Sequence, residues 1–216
     1  MKKQLVIFDL DGTLLDTLED LKDSLNYALE ECQMPKRSLD EVRCFVGNGI
    51  RKLIERGVPK GTDTKKTDLV QAVFMEHYKK HCEDQTKPYD GIMEMLKKFR
   101  EEGIHLAVVS NKADAAVKIL CEKYFPGMFD VAIGERADVR KKPYPDSVQE
   151  VLKACQIQTE QAVYVGDSEV DIETAANARM DAIIVDWGFR EREFLLEKGA
   201  GCMVSSPIDI YELCMR

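Results

Sequence analysis

The sequence predicts an α/β fold in which a doubly wound parallel sheet carries an all-helical segment inserted after its first strand, and three features of the 216-residue chain lead there. A short apolar run, Leu5-Val6-Ile7-Phe8, stands near the start and ends in acid. Helical periodicity alone then fills the chain from residue 17 to residue 82. Beyond it, short apolar strands alternate with amphipathic helices, and strands joined by helical crossovers lie parallel in a sheet covered on both faces, the Rossmann-like arrangement. The expected boundaries are 1–16 with 83–216 for the α/β core and 17–82 for the helical domain.

The first strand, residues 4–9, is made of buried β-formers and delivers Asp9 and Asp11 to a turn at Gly12. In open α/β sheets ligand chemistry lies outside the carboxyl ends of the strands. Two carboxylates crowded there repel unless a cation, a proton or a donor compensates. Mg2+, which takes one or two carboxylates plus phosphate oxygens, is a natural compensator. A calcium loop lacks its later ligands here; a plain polar turn is the other reading of this stretch alone.

Leu18, Leu21, Leu25, Ala28, Leu29 and Cys32 recur at three- and four-residue steps and predict a helix ending before Met34-Pro35. Ser38 followed by Glu41 forms a capping box for a second helix, interrupted at residues 45–49 and resumed through Ile50, Leu53 and Ile54. A third helix is expected from Thr67 to Cys82, with Leu69, Val70, Val73, Phe74 and His77 as its buried stripe. Pro88-Tyr89-Asp90-Gly91 marks a turn, and strands follow at Leu106–Val109, Val131–Ile133, Ala162–Val165 and Ala182–Val185.

Bulk composition narrows the function. A formal net charge of −8 argues against nucleic acid or an anionic membrane surface as partner, while leaving room for a small anionic substrate met by local positive groups or a metal. Seven cysteines without a CxxC pair predict reduced thiols, the apolar run after Met1-Lys2-Lys3 is broken by Asp9 and Asp11, and no stretch is long enough to span a bilayer. A soluble, cytoplasmic protein is expected, as monomer or homodimer.

Three further strand ends carry polar groups. Ser110-Asn111-Lys112 follow the second strand, where they suit an anion at a following helix start and equally suit an ordinary N-cap. Lys142 sits in a basic run and is held out of helical geometry by Pro143. Val163-Tyr164-Val165-Gly166-Asp167 repeats the logic of the first strand, and Asp171 follows one helical turn later. His77 and His81, four apart on a helix, have no intervening Glu and no third ligand nearby, so packing and solvent roles are expected.

These four motifs, in this order, resemble those of the haloacid-dehalogenase superfamily of phosphatases: Asp9-Leu-Asp11-Gly12-Thr13, Ser110-Asn111, Lys142, and Gly166-Asp167-Ser168-x-x-Asp171. The resemblance implies that Asp9 is a nucleophile forming an aspartyl-phosphate and that Asp11 is the general acid and base. It implies that Ser110, Asn111 and Lys142 bind the phosphoryl group. Mg2+ would be held by Asp9, the backbone carbonyl of Asp11 and Asp167, with Asp171 orienting that shell. The helical insert would then be a cap that excludes water and selects the substrate. Its run from Phe45 through Val46-Gly47-Asn48-Gly49 to Arg56, together with Pro88-Tyr89-x-Gly91 and Asp186-Trp187-Gly188-Phe189, resembles the phosphoglycolate phosphatase branch. Asn48, Gly49, Arg51 and Arg56 are the cap candidates for a substrate carboxylate.

The expected activity is a Mg2+-dependent hydrolysis of a small phosphorylated metabolite, phosphoglycolate above others. A pyrophosphatase, a sugar-phosphate phosphatase or a phosphomutase would share the motifs, although mutases of the superfamily often carry valine where Thr13 stands. A non-catalytic binding or regulatory protein of the same fold is the alternative of another class. One departure is Arg179, at a position where the superfamily usually has glycine.

Overall fold

The computed structural model describes residues 2–216. In chain order the elements are β1 (Leu5–Phe8), β2 (Leu15–Asp16), α1 (Leu18–Glu31), α2 (Leu39–Phe45), α3 (Ile50–Gly57), α4 (Thr64–His81), β3 (Lys87–Pro88), α5 (Ile92–Glu101), β4 (His105–Ala113), α6 (Asp114–Tyr124), β5 (Val131–Glu135) and α7 (Asp146–Cys155). A 3-10 turn at Thr159–Gln161 then leads to β6 (Ala162–Gly166), α8 (Glu169–Asn177), β7 (Asp181–Val185), α9 (Arg192–Glu197), β8 (Met203–Val204) and α10 (Pro207–Cys214).

Six strands form one sheet in the order β5-β4-β1-β6-β7-β8, and every pairing is parallel. β1 is completely buried and central, so its residues alternate between two cores. Val6 and Phe8 join Leu96 and Phe99 of α5, Val117 and Leu120 of α6, and Ile210 of α10. Leu5 and Ile7 join Val148 and Val151 of α7 and Ala175 of α8 on the other face. From β1 the chain builds outward through β4 and β5, then returns to build the other half through β6, β7 and β8. That reversal opens a crevice at the carboxyl end of β1, between β4 and β6.

The chain divides into two compact units, residues 1–15 with 88–216 and residues 16–87. It passes between them at Leu15–Asp16 and Lys87–Pro88, the short strands of a second, two-stranded sheet. The inserted unit thus runs five residues past the end of helical periodicity at 82. Its return segment is tied down by Asp20, a carboxylate only 2% exposed that accepts the backbone N–H groups of Gln85 and Thr86 at 2.9 Å and the Thr86 hydroxyl at 2.7 Å.

Within that unit α1, α2, α3 and α4 pack on one another through residues that include Leu25, Val42, Ile54, Val70 and Phe74. Ser38 and Glu41 close the capping box of α2. The stripe of α4 is shifted from the one expected. Thr67, Val70, Phe74 and Tyr78 are buried, while Leu69 is 56% exposed and Val73 and His77 are only half-buried. Tyr78 stacks on Phe74 with ring centroids 5.2 Å apart, both on the face that turns inward. The His77 ring lies between those of Tyr27 and His81, at 4.2 and 4.3 Å, and its Nδ1 pairs with the Ser24 hydroxyl at 3.0 Å; His81 pairs with Asp84.

Candidate active site

The loop after β1 is wound on one carbonyl. Leu10 O accepts the N–H groups of Thr13, Leu14 and Leu15, and Gly12 N–H donates to Leu15 O at 2.8 Å. Gly12 takes φ +86°, a left-handed conformation that a Cβ would strain, and that Cβ would lie 2.4 Å from Asp167 Oδ2. The tight turn turns the carboxyls of Asp9 and Asp11 to different partners. Asp9 Oδ1 accepts from Leu10 N–H at 2.7 Å and from Lys142 Nζ at 2.9 Å. Asp11 meets Lys112 Nζ at 2.9 Å on Oδ1 and 3.2 Å on Oδ2.

At the end of β6, Asp167 is 1% exposed; its Oδ2 accepts Phe189 N–H at 2.7 Å and its Oδ1 accepts the Thr13 hydroxyl at 3.3 Å. Gly188 makes room for it, since a Cβ there would fall 2.3 Å from Asp167 Cβ. Asp171 serves two ends at once. Its Oδ2 takes Ser168 N–H and Oγ–H at 3.1 and 2.6 Å, a capping box for α8. Its Oδ1 takes Lys142 Nζ at 2.8 Å and Tyr164 O–H at 3.2 Å, with Nζ also donating to the Tyr164 oxygen at 3.1 Å. The first-turn acid of a helix is here also the anchor of a buried lysine.

Ser110, Asn111 and Lys112 lie at the carboxyl end of a strand with a helix following, as the sequence places them, but not at the helix start that the N-cap alternative requires. They lie within β4, which runs on to Ala113 with a register shift after Val109, and α6 begins at Asp114 behind Ala113, which makes no side-chain cap. The N-cap reading therefore falls. Instead Ser110 Oγ accepts Lys112 N–H at 3.2 Å, and Asn111 Nδ2 donates to Lys142 O at 3.2 Å, holding the lysine's backbone to the sheet edge.

The electrostatics follow from burial. Asp9 is pushed up to about 7 by loss of solvent, which the ammonium of Lys142 only partly offsets and which Asp171 and Asp11 reinforce. Asp167 is raised well above the carboxylate range by burial and by Asp171 and Asp9. For Lys142 burial works the other way, yet Asp171 and Asp9 outweigh it and hold the ammonium charged. Oxygens of Asp9, Asp167 and Asp171 lie within 4.8 Å of one another. Four carboxylates, Asp9, Asp11, Asp167 and Asp171, thus face two ammoniums, Lys112 and Lys142, leaving a deficit of positive charge that an oxygen-bound divalent ion fits.

The core residues expected from sequence, Asp9, Asp11, Ser110, Asn111, Lys142, Asp167 and Asp171, all belong to the α/β unit, at the carboxyl ends of β1, β4 and β6 and the loops beside them. Sequence reasoning missed the pairing of Lys112 with Asp11 and the supports supplied by Thr13, Tyr164, Ser168 and Phe189. Each of these stands in a stretch the sequence singled out, but no sequence signal pointed to its partner. The cap candidates lie in the inserted unit. Gly49, at φ +85°, caps α3, and Asn48 Oδ1 is buried without a hydrogen-bond partner. Arg51 is engaged by Glu55 at 2.9 Å, Asp68 at 2.5 Å and Gln71 at 3.0 Å, and Arg56 donates to Phe45 O at 2.7 Å.

A doubly wound sheet with this carboxylate and lysine cluster at its switch point defines an α/β protein whose ligand site lies at the carboxyl ends of its strands. Residues 6–185 match the family model described as haloacid dehalogenase-like hydrolase, and the chain belongs to that family. It is 33% identical over 196 residues to a phosphoglycolate phosphatase of Mesorhizobium japonicum, covering 89% of this chain and 86% of that protein. It is 36% identical over 197 residues to one from Psychrobacter arcticus, covering 88% and 86%. Among solved structures, a protein of Lactobacillus delbrueckii subsp. bulgaricus provisionally assigned as a phosphoglycolate phosphatase superposes with a TM-score of 0.95 at 36% identity, covering 100% of this chain and 99% of that one.

Proposed function

We propose that this protein is a Mg2+-dependent phosphomonoester hydrolase that works through an aspartyl-phosphate on Asp9 and takes 2-phosphoglycolate as its best substrate. The observation that carries the reading is the cluster at the end of the central strand: a buried Asp9 bonded to the Lys142 ammonium at 2.9 Å, beside carboxylates close enough to share one ion. The substrate rests on the names of the relatives. In this reading Asp9 attacks phosphorus, a bond from its carboxylate forming as the bond to the leaving oxygen breaks. Asp11 gives its proton to that oxygen and takes one from the water that later releases phosphate. Lys142, Ser110 and Asn111 bind the transferring oxygens, and Asp171 keeps the Lys142 ammonium in place. Mg2+, when bound, supplies positive charge against the phosphoryl oxygens, and Asp9, the Asp11 carbonyl and Asp167 would hold it, with Asp171 behind them.

In the same reading the inserted unit is the cap, and the segment containing Asn48, Gly49, Arg51 and Arg56 selects the substrate. Arg51 and Arg56 already bond within the unit, so Asn48, with a buried amide oxygen left over, is the residue we put first. The protein acts on a small metabolite in the cytoplasm, as monomer or homodimer, without nucleic acid or membrane; among the described residues no helix is long and apolar enough to cross a membrane.

The test is phosphate release with Mg2+ across 2-phosphoglycolate, pyrophosphate and several sugar phosphates, by wild type and Asp9→Asn. The expected result is highest kcat/KM on 2-phosphoglycolate and a loss of about a thousand-fold or more in Asp9→Asn, as for other removed nucleophiles. A pyrophosphate or sugar-phosphate preference overturns the substrate. Folded, metal-loaded wild type that releases nothing overturns the hydrolase and returns the binding-protein alternative.

A further inference from the structure

Among the described residues two lysines are strongly buried, and Lys112, at the carboxyl end of β4, is the one that the mechanism above does not use. Its side chain is 2% exposed, against 21% for Asp11, and its Nζ bonds both oxygens of that carboxyl, at 2.9 and 3.2 Å. The placement is built by the sheet. β1 and β4 pair with Phe8 opposite Val108, so the loop that carries Asp11 emerges beside the last residues of β4. There the register of β4 shifts between Val109 and Ala113, and the Lys112 N–H turns back to Ser110 Oγ at 3.2 Å. A local irregularity of this kind re-aims a side chain.

Stability alone is a poor reason for such a pair. Taking an ammonium out of water costs several kcal/mol, and a well-packed apolar side chain commonly holds a loop as well as a buried ion pair does. What the ammonium does that an apolar group would not is bond both oxygens of one carboxyl and so fix its rotation.

We propose that Lys112 is a positioning residue for Asp11, fixing the carboxyl in the orientation from which it exchanges its proton with the leaving oxygen and with the attacking water. The role rests on the assignment of Asp11 as acid and base made above. No bond to Lys112 forms or breaks: the proton passes from Asp11 to the leaving oxygen as the phosphorus–oxygen bond opens, and in the second step from water back to Asp11. Misorientation of Asp11 therefore has an effect that depends on the substrate only in the first step, which kcat/KM reports, because the water step is common to all substrates. An alkoxide must be protonated to leave, whereas p-nitrophenolate, a weak base, departs without help.

The experiment compares Lys112→Met, Lys112→Gln, Asp11→Asn and the double variant Asp11→Asn/Lys112→Met with wild type, all Mg2+-loaded, on 2-phosphoglycolate and on p-nitrophenyl phosphate. For both single Lys112 variants the expected result is a fall in kcat/KM of about ten- to a hundred-fold on the alkyl phosphate. On p-nitrophenyl phosphate kcat/KM should change by under about three-fold, whereas kcat, which includes the water step, falls with either substrate. The double variant, which leaves no unpaired buried charge and so folds where a single variant does not, should be no slower on the alkyl phosphate than Asp11→Asn alone, because residues that act as one unit are not additive. Equal losses of kcat/KM on both substrates, a rise in KM at constant kcat, or additive losses in the double variant overturn the assignment. If Asp11→Asn shows the leaving-group signature and the Lys112 variants do not, only the role of Lys112 falls. If Asp11→Asn lacks the signature, the acid–base assignment of Asp11 falls and takes this role with it.

Discussion

Single residues at two places work under geometric constraint. Arg179 adopts φ +55°, the left-handed region, so the structure supplies a physical reason for glycine at the position after α8. The left-handed conformation costs a non-glycine residue about 1–2 kcal/mol, and the added freedom of an unfolded glycine returns part of that. Arg179→Gly should therefore raise stability by up to about 1 kcal/mol, or about 2–4 °C in Tm for a chain of this size, measured by thermal denaturation. A lower Tm would show that the arginine side chain makes contacts that outweigh its backbone strain. Gly188 is constrained by space instead. A Cβ there would sit 2.3 Å from Asp167 Cβ and 2.5 Å from Gly12 O, both in the wall of the site. Gly188→Ala is expected to displace Asp167 and reduce kcat by about a hundred-fold, because a shift on the order of 1 Å in a reacting constellation has that effect. Near-wild-type kcat would mean that the loop yields without moving the carboxylate. Neither constraint could be read from the sequence as such: Arg179 stood out only against the family pattern, and Gly188 lies 21 positions after its neighbour Asp167.

At the scale of elements, local signals were legible and long-range ones were not. β1 and the capping box of α2 follow from adjacent residues, and both form where the sequence puts them. The two-residue strands β2, β3 and β8 carry no periodicity to detect, and the inward face of α4 takes Thr67 and Tyr78 with Val70 and Phe74 while leaving Leu69 outside. The start of β4 is another long-range arrangement. Asp130, just before β5, takes Arg100 on both oxygens at 2.9 Å, His105 Nδ1 at 3.1 Å and the backbone N–H of Leu106 at 3.0 Å, so one carboxylate ties α5 and β4 together. Burial opposes its charge, but the Leu106 N–H and the Arg100 guanidinium prevail and hold the carboxyl below its ordinary range. A carboxyl with a depressed folded-state value stabilises the fold above its unfolded value, and that stabilisation disappears as pH falls through the folded value. Asp130→Asn should thus cost about 1–2 kcal/mol at pH 7 by urea unfolding, and the gap from wild type should narrow below about pH 4. A gap that stays constant with pH would assign the loss to packing instead of charge.

Over the whole molecule the legible and illegible parts of the site divide between the groups themselves and their pairings. The acids were visible because each follows an apolar strand, so the sequence shows where negative charge gathers. Lys142 was visible with them through the family motif, but its bond to Asp171 and that of Lys112 to Asp11 were not, because Lys112 reaches Asp11 across 101 positions and Lys142 reaches Asp171 across 29. Only the folded sheet brings both signs together, and it leaves more carboxylates than ammoniums in a buried place, in a chain already carrying a formal net charge of −8. Burial and mutual repulsion raise Asp9 and Asp167, which means that the metal-free fold carries an electrostatic strain that a divalent ion relieves. An ion that binds the native but not the unfolded state adds RT ln(1 + [L]/Kd), about 2.7 kcal/mol at a hundred times Kd. Saturating Mg2+ should therefore raise the Tm of the wild type by several degrees, on a scale of about 2–4 °C per kcal/mol for a domain this large. Asp167→Asn, which removes one of the three clustered carboxylates, should lose most of that increase while remaining folded, and the comparison reads metal binding without any substrate present. Should the wild type show the same Tm with and without millimolar Mg2+, the charge deficit would have to be met by protons alone. The carboxylate cluster would then be no metal centre, and the proposed chemistry would have to proceed on lysine and backbone donors.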